Sequence, residues 1–195
     1  MSDRSIRQVR SVESKFTTRE NGAEKRIEGY FAVFNSNYDI APGMSESIAP
    51  GSFSNTLNGD IKALIDHETM YVLGRNQAGT LELREMKHGL WGSILINPND
   101  QDAMNLYARV ERGDVNQCSF GFDILEEDTI FNKDGSVHWT IKAVKLYEVS
   151  VCTFPAYDET SVKARQNDYK KITTERQNEI WRAEMRAKLK GEKQA

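Results

Sequence analysis

Three histidines limit where acid–base chemistry near neutral pH can sit in this chain. His88 falls in the probable turn Met86-Lys87-His88-Gly89 and reads as an exposed loop residue. His138 lies on the polar side of SVHWTIK, alternating with Val137, Trp139 and Ile141, and reads as a surface residue of a strand. His67 differs. It closes the apolar stretch IKALIDH, between Asp66 and Glu68, where a side chain can stand at the rim of a sheet.

The nucleophile candidates lie in Gln117-Cys118-Ser119-Phe120-Gly121-Phe122-Asp123-Ile124, which alternates with period two. Cys118, Phe120, Phe122 and Ile124 share the apolar face, so Cys118 reads as a small buried hydrophobe rather than a reactive thiol. Ser119 shares the polar face with Gln117, Gly121 and Asp123, and the neighbouring glycine leaves room for an approaching backbone. Gly-x-Ser-x-Gly, the elbow of α/β-hydrolases, is absent because position 117 is Gln.

Asn132-Lys133-Asp134-Gly135 can join two long strands, over roughly 117–128 and 136–151. With Lys133 and Asp134 as the two central turn residues, Ser119 faces Glu148, Cys118 faces Val149 and Phe120 faces Tyr147. A three-residue loop with a bulge at Gly135 shifts this by one and puts Ser119 and Glu148 on opposite faces. Glu148 is flanked by Tyr147 and by Val149-Ser150-Val151-Cys152, a setting in which a carboxylate needs a partner. A hydroxyl, an imidazole to take its proton and a carboxylate to hold the imidazole are the parts of nucleophilic acyl transfer. A polar sheet face with a backbone-bonded glutamate accounts for the same spacing, so spacing alone does not decide.

The elements that must position these residues are mostly strands. RENGAEKR offers a turn at Asn21-Gly22 before the strand IEGYFAVF, and LELREM and LWGSILI form a second hairpin about His88-Gly89. NSNYDIAPGMSES reads as a long polar loop, and PGSFSNTLNG as a short helical piece ending at Gly59. The clearest helix is NPNDQDAMNLYARVERG, capped by Asn99 or Asp100, with Ala103, Leu106, Tyr107 and Val110 at helical spacing and Gly113 at its end. These elements predict a mainly β domain with short helices (α+β). From about Lys163 basic residues outnumber acidic ones by roughly two to one, and Ile180, Trp181, Glu184, Met185, Lys188 and Leu189 recur at helical spacing. We therefore divide the chain into a domain over 1–162 and a basic helical tail over 163–195.

A length of 195 residues suits one domain with tails. The net charge of -3 and pI near 5.7 argue against a dedicated nucleic-acid binder. No run reaches the roughly 18 apolar residues of a membrane helix, and MSDRSIRQVR lacks the apolar centre of a signal peptide. Two cysteines, Cys118 and Cys152, make no zinc or disulfide framework. We expect a soluble intracellular protein without metal or cofactor, the three adjacent residues Asp66, His67 and Glu68 being unable to converge on one ion if they lie along a strand.

Several motifs arrive together and in order: IEGYFAVFN, SIAPGSFSNTL, IKALIDHE, VLGR, LWGSILI, QCSFGF and LYEVSVCTFPAYDETSV. With them the chain, over about residues 27–162, resembles the prohead (capsid maturation) serine proteases of tailed bacteriophages, which are distantly similar to the herpesvirus assembly proteases. The resemblance implies a closed or near-closed antiparallel β-barrel of the herpesvirus-protease type. It carries the catalytic pair onto His67 and Ser119, and the phage-type pattern suggests Glu148 as third member, with His138 as the alternative orienter. Oxyanion donors are open between backbone N–H groups near Ser119 to Gly121 and Arg75. Implied substrates are the major capsid protein, its scaffold and the protease itself, cut inside the assembling prohead in the host-cell cytoplasm, with the tail as a removable targeting piece. Homo-oligomers are compatible with that role; nucleic-acid specificity and membrane attachment are not implied. The competing reading is a catalytically inactive scaffold or capsid-interaction module, and a minor one is a cysteine hydrolase using Cys118.

Overall fold

Period-two alternation of apolar side chains builds the domain, and a computed structural model describes residues 8–13, 16–22, 24–154 and 159–191. The motif residues 155–158 (PAYD) lie outside them. In chain order come β1 (Gln8–Glu13), β2 (Thr17–Asn21), β3 (Glu24–Val33), β4 (Tyr38–Ala41), β5 (Met44–Ile48), β6 (Lys62–Ile65), β7 (Glu68–Arg75), β8 (Leu81–Glu85) and β9 (Gly89–Ile96). Helix α1 (Gln101–Arg112), the long strands β10 (Gln117–Phe131) and β11 (Val137–Cys152), and helix α2 (Glu159–Gly191) follow.

Two sheets enclose the core. One runs β2-β3-β9-β8; the other runs β1-β10-β11-β5-β4, with β6 and β7 added beside the far half of β11. Phe31, Leu90 and Ile94 from the first sheet bury against Phe120, Phe122 and Val149 of the second, and α1 adds Leu106 and Tyr107. Asp100 caps α1 by accepting the N–H groups of Asp102 and Ala103, and Gly113 ends it in the left-handed conformation at φ 87°.

The closed or near-closed antiparallel barrel expected from the resemblance is not what forms. Strand β11 is long enough to hold β5 along its first half and β6 along its second, and both pairings are parallel. The sheet therefore spreads along β11 instead of curling shut. The expected loop NSNYDIAPGMSES supplies the β4–β5 hairpin, turning at Pro42-Gly43 with Gly43 at φ 74°. PGSFSNTLNG is a chain of turns rather than a helix. Its i→i+3 bonds run from Ser52 to Ala49, Ser54 to Gly51, Thr56 to Phe53 and Gly59 to Thr56. Gly51 at φ 92° and the Ser52 hydroxyl, which donates to the Ala49 carbonyl, divert the backbone from helical bonding.

The tail engages the domain within its first turns. Arg165 is buried, donates to Glu46 at 3.0 and 3.2 Å, pairs with Glu127 at 2.8 Å and lies 4.9 Å above the Trp139 ring. Tyr169 and Ile172 pack on Met44, Val137 and Trp139. Beyond Thr173 the described side chains of α2 are exposed, Ile180, Trp181 and Met185 among them.

Candidate active site

Register decides what faces what at the centre of the second sheet. Near the turn, facing residues of β10 and β11 sum to 268, one more than the two-residue turn predicts. A bulge between Gly121 and Phe122 adds one further residue, Tyr147, on the β11 side. Ser119 therefore faces Ser150, and Gly121 faces Glu148, which corrects the expected Ser119–Glu148 pairing. The two shifts together restore parity. Ser119, Gly121, Glu148, Ser150 and Cys152 share one face, while Cys118, Phe120 and Phe122 are buried in the core. Without the bulge, Glu148 would point to the face opposite Ser119.

His67 reaches this face from β6, which runs parallel to β11 with Lys62 beside Glu148 and Ile65 beside Val151. It does not sit on the strand, as the apolar run suggested, but in the two-residue turn that joins β6 to β7, with Ile65 paired to Glu68. Asp66 and His67 have φ 47° and 64°, the doubly left-handed backbone of a tight hairpin turn, which neither side chain adopts freely. Asp66 holds the turn down. Its N–H donates to the Val151 carbonyl at 3.1 Å, and its carboxylate accepts from the Thr153 N–H at 2.8 Å and hydroxyl at 3.2 Å.

The imidazole then meets Glu148: Nδ1 lies 2.7 Å from Oε1 of a carboxylate only 2% exposed. A carboxylate accepts this contact, so in a neutral imidazole the ring proton sits on Nδ1 and Nε2 carries the lone pair. Nε2 is 3.9 Å from the Cys152 sulfur. Burial, followed by the charge of Asp66, pushes that thiol well above the ordinary cysteine range, so Cys152 stays protonated beside the imidazole. Spacing singled out neither Cys152 nor Ser150; the alternation EVSVC, which puts both on the face of Glu148, was the available signal.

Ser119 is fully buried on the neighbouring strand, and its hydroxyl donates to the Arg10 carbonyl of β1 at 2.9 Å. Opposed residues in such a pair have Cβ atoms about 5 Å apart, so Ser119 stands beside Ser150. Cys118 has its sulfur on the Tyr30 carbonyl, on the other side of the sheet. His138 is ten residues along β11 from Glu148, bonded on both ring nitrogens to Ser45 and Ser47 at 2.9 Å each. It orients nothing at this site. The Arg75 guanidinium is taken by Asp60 at 2.6 and 2.9 Å and by Gln77, and the backbone at 119–121 is paired on both sides, by β1 and β11.

The chain is a member of the caudovirus prohead serine protease family, whose model matches residues 12–175. It is 30% identical over 160 residues to the prohead protease of Enterobacteria phage HK97, across 80% of this chain and 66% of that protein's length. The capsid assembly protease of bacteriophage T4 shares the fold, with a TM-score of 0.50 and 8% identity over 75% of this chain and 96% of that one.

Proposed function

We propose that this chain is a serine endopeptidase of phage capsid maturation, with Ser119 as nucleophile, His67 as general base and then general acid, and Glu148 as the group that orients His67. The observation carrying this reading is the 2.7 Å contact between His67 Nδ1 and buried Glu148, on the sheet face that Ser119 shares, which in a neutral ring makes Nε2 the base. In the first step the Ser119 hydroxyl turns from the Arg10 carbonyl to Nε2. Its oxygen attacks the amide carbon while the proton passes to the imidazole. The tetrahedral intermediate then collapses with loss of the amine, which takes that proton, and an ester to Ser119 remains. Water, deprotonated by the same nitrogen, hydrolyses the ester. Glu148 balances the imidazolium throughout without accepting its proton.

The substrates proposed are scaffold, scaffold-like segments of the capsid protein, and the protease itself, inside the assembling shell. The T4 relative, a capsid assembly protease, supports that setting. In the same reading α2 beyond Thr173 is the piece that brings the enzyme to the shell and is later removed. Co-expression with the neighbouring capsid gene tests this reading: shortening of the capsid protein with wild type and none with Ser119→Ala is expected, and equal shortening with both overturns it. Mass spectrometry of purified particles that finds only chains ending at Ala195 would overturn tail removal. A second reading, an inactive capsid-interaction module, draws on the buried Ser119 hydroxyl engaged with Arg10. It predicts assembled shells that depend on the chain but no shortening of any protein.

A further inference from the structure

Ser150 is fully buried and belongs to no pair required by the mechanism above, yet its hydroxyl is engaged at both ends. It donates to Glu148 Oε2 at 2.6 Å and accepts the backbone N–H of His67 at 3.3 Å. Glu148 Oε1 takes the imidazole of the same histidine at 2.7 Å. The result is a closed circuit: backbone of His67, hydroxyl of Ser150, carboxylate of Glu148, ring of His67.

The circuit answers a need that Glu148 cannot meet alone. The terminal torsion of a glutamate is broad, so a carboxylate held by one hydrogen bond can swing its plane and carry the imidazole with it. A second bond on the other oxygen fixes that plane. The third group, the His67 N–H, belongs to a turn in left-handed backbone that must be held by contacts around it. Asp66 supplies such contacts on one side of the turn, through Val151 and Thr153. Ser150 supplies the one that also touches the carboxylate.

We infer that Ser150 is a positioning residue of the catalytic site: its hydroxyl locks the Glu148 carboxylate to the His67 turn, which keeps the ring proton on Nδ1 and so leaves Nε2 as the base. The inference rests on the serine-protease reading above, and its test separates the two. The full chain is treated with a fluorophosphonate, which phosphonylates an activated serine with loss of fluoride. The limiting rate and the half-saturating concentration are measured for wild type, Ser150→Ala, Ser150→Cys, Glu148→Ala and the double variant Ser150→Ala/Glu148→Ala. In parallel, the ring nitrogens of His67 are read by NMR in mildly alkaline buffer.

Misplacing the base at this scale costs about 10- to 100-fold, so Ser150→Ala is expected to lower the limiting rate by that factor at unchanged half-saturation. It is also expected to mix the His67 tautomers, which are uniformly Nδ1–H in wild type. Against a Glu148→Ala background the same change is expected to alter the rate less than about twofold, because the group it positions is gone. Ser150→Cys, close in volume and a much weaker donor, should behave as Ser150→Ala does, and it carries the comparison if the alanine variant does not fold. An undiminished rate with an unmixed tautomer in either variant would overturn the inference, as would an equal loss in both backgrounds. Failure of wild type to label at Ser119, or full labelling of Glu148→Ala, overturns the protease reading itself.

Discussion

Two buried carboxylates in one sheet carry opposite duties. Glu148 is 2% exposed and meets an imidazole and a serine hydroxyl; Glu46 is fully buried and meets two guanidinium groups, Arg10 of β1 and Arg165 of α2. Burial by itself raises a carboxyl's pKa and is the largest influence on Glu46, but the charges and hydrogen bonds of Arg10 and Arg165 outweigh it and hold the group below its ordinary value. Arginine does not release its proton, so this cluster is a fixed anchor joining β1, β5 and α2. An imidazole can gain and lose one near neutral pH, so in the proposed mechanism the same side chain at Glu148 serves a group that moves protons. Partner chemistry, not burial, separates the anchor from the proposed catalytic carboxylate.

The sharpest way to break this comparison is to remove the reacting groups. Ser119→Ala or His67→Ala should each cut turnover by at least about four orders of magnitude, with the double variant losing little more, as measured by capsid-protein cleavage. Their melting temperatures should stay near wild type. Next come the carboxylates themselves. Glu148→Gln should lower turnover by about 10³–10⁴-fold by supporting the wrong tautomer. Glu46→Gln should leave chemistry in place but destabilise the fold by about 3–5 kcal/mol in denaturant titration, since buried Arg10 loses its carboxylate and Arg165 keeps only Glu127 and Asp168. Equal effects of these two changes on both readouts would erase the distinction.

Acid sharpens it further. The depressed Glu46 carboxyl contributes stability that is fully present above its ordinary value of 4.5 and drains away as pH falls through the lower folded value. Melting curves should show this loss in wild type and a flatter acid limb in Glu46→Gln. The smallest effect belongs to the tail. Arg165→Met leaves Arg10 to neutralise Glu46 and should cost about 1–3 kcal/mol in denaturant titration, again with turnover retained. Truncation after Arg176 keeps Arg165, Tyr169, Ile172 and the Arg176 contact over the Phe131 ring, and should not shift the melting temperature.

How much of this was legible can be followed residue by residue. Alternation alone put Cys118 in the core and Ser119 on the other face, and α1 was bounded by Asn99 or Asp100 and by Gly113, the structure choosing Asp100. His67 was singled out by its place at the end of an apolar run, but the turn it occupies was not, because two adjacent left-handed residues without glycine carry no turn signal in sequence. Glu148 was marked by the apolar residues around it. Its facing partner is Gly121 rather than Ser119 because the turn and the Gly121/Phe122 bulge each shift the register by one, and the bulge leaves no mark in composition. The polar run from Asn35 to Ser47 read as loop, although it folds into β4 and β5, since strand formation there depends on β11 alongside.

The order of side chains along each strand, the capped ends of α1 and the family were determined by the sequence itself, because each depends on residues within a few positions of one another or on motifs in series. Only the folded sheet decided that β6 lies parallel to β11, that one extra residue brings Glu148 to the face of Ser119, and that Ser150 ties the carboxylate to the imidazole turn. Those choices turn on pairing between distant segments, Lys62 beside Glu148 and Ser119 beside Ser150, and no local pattern encodes such a partner.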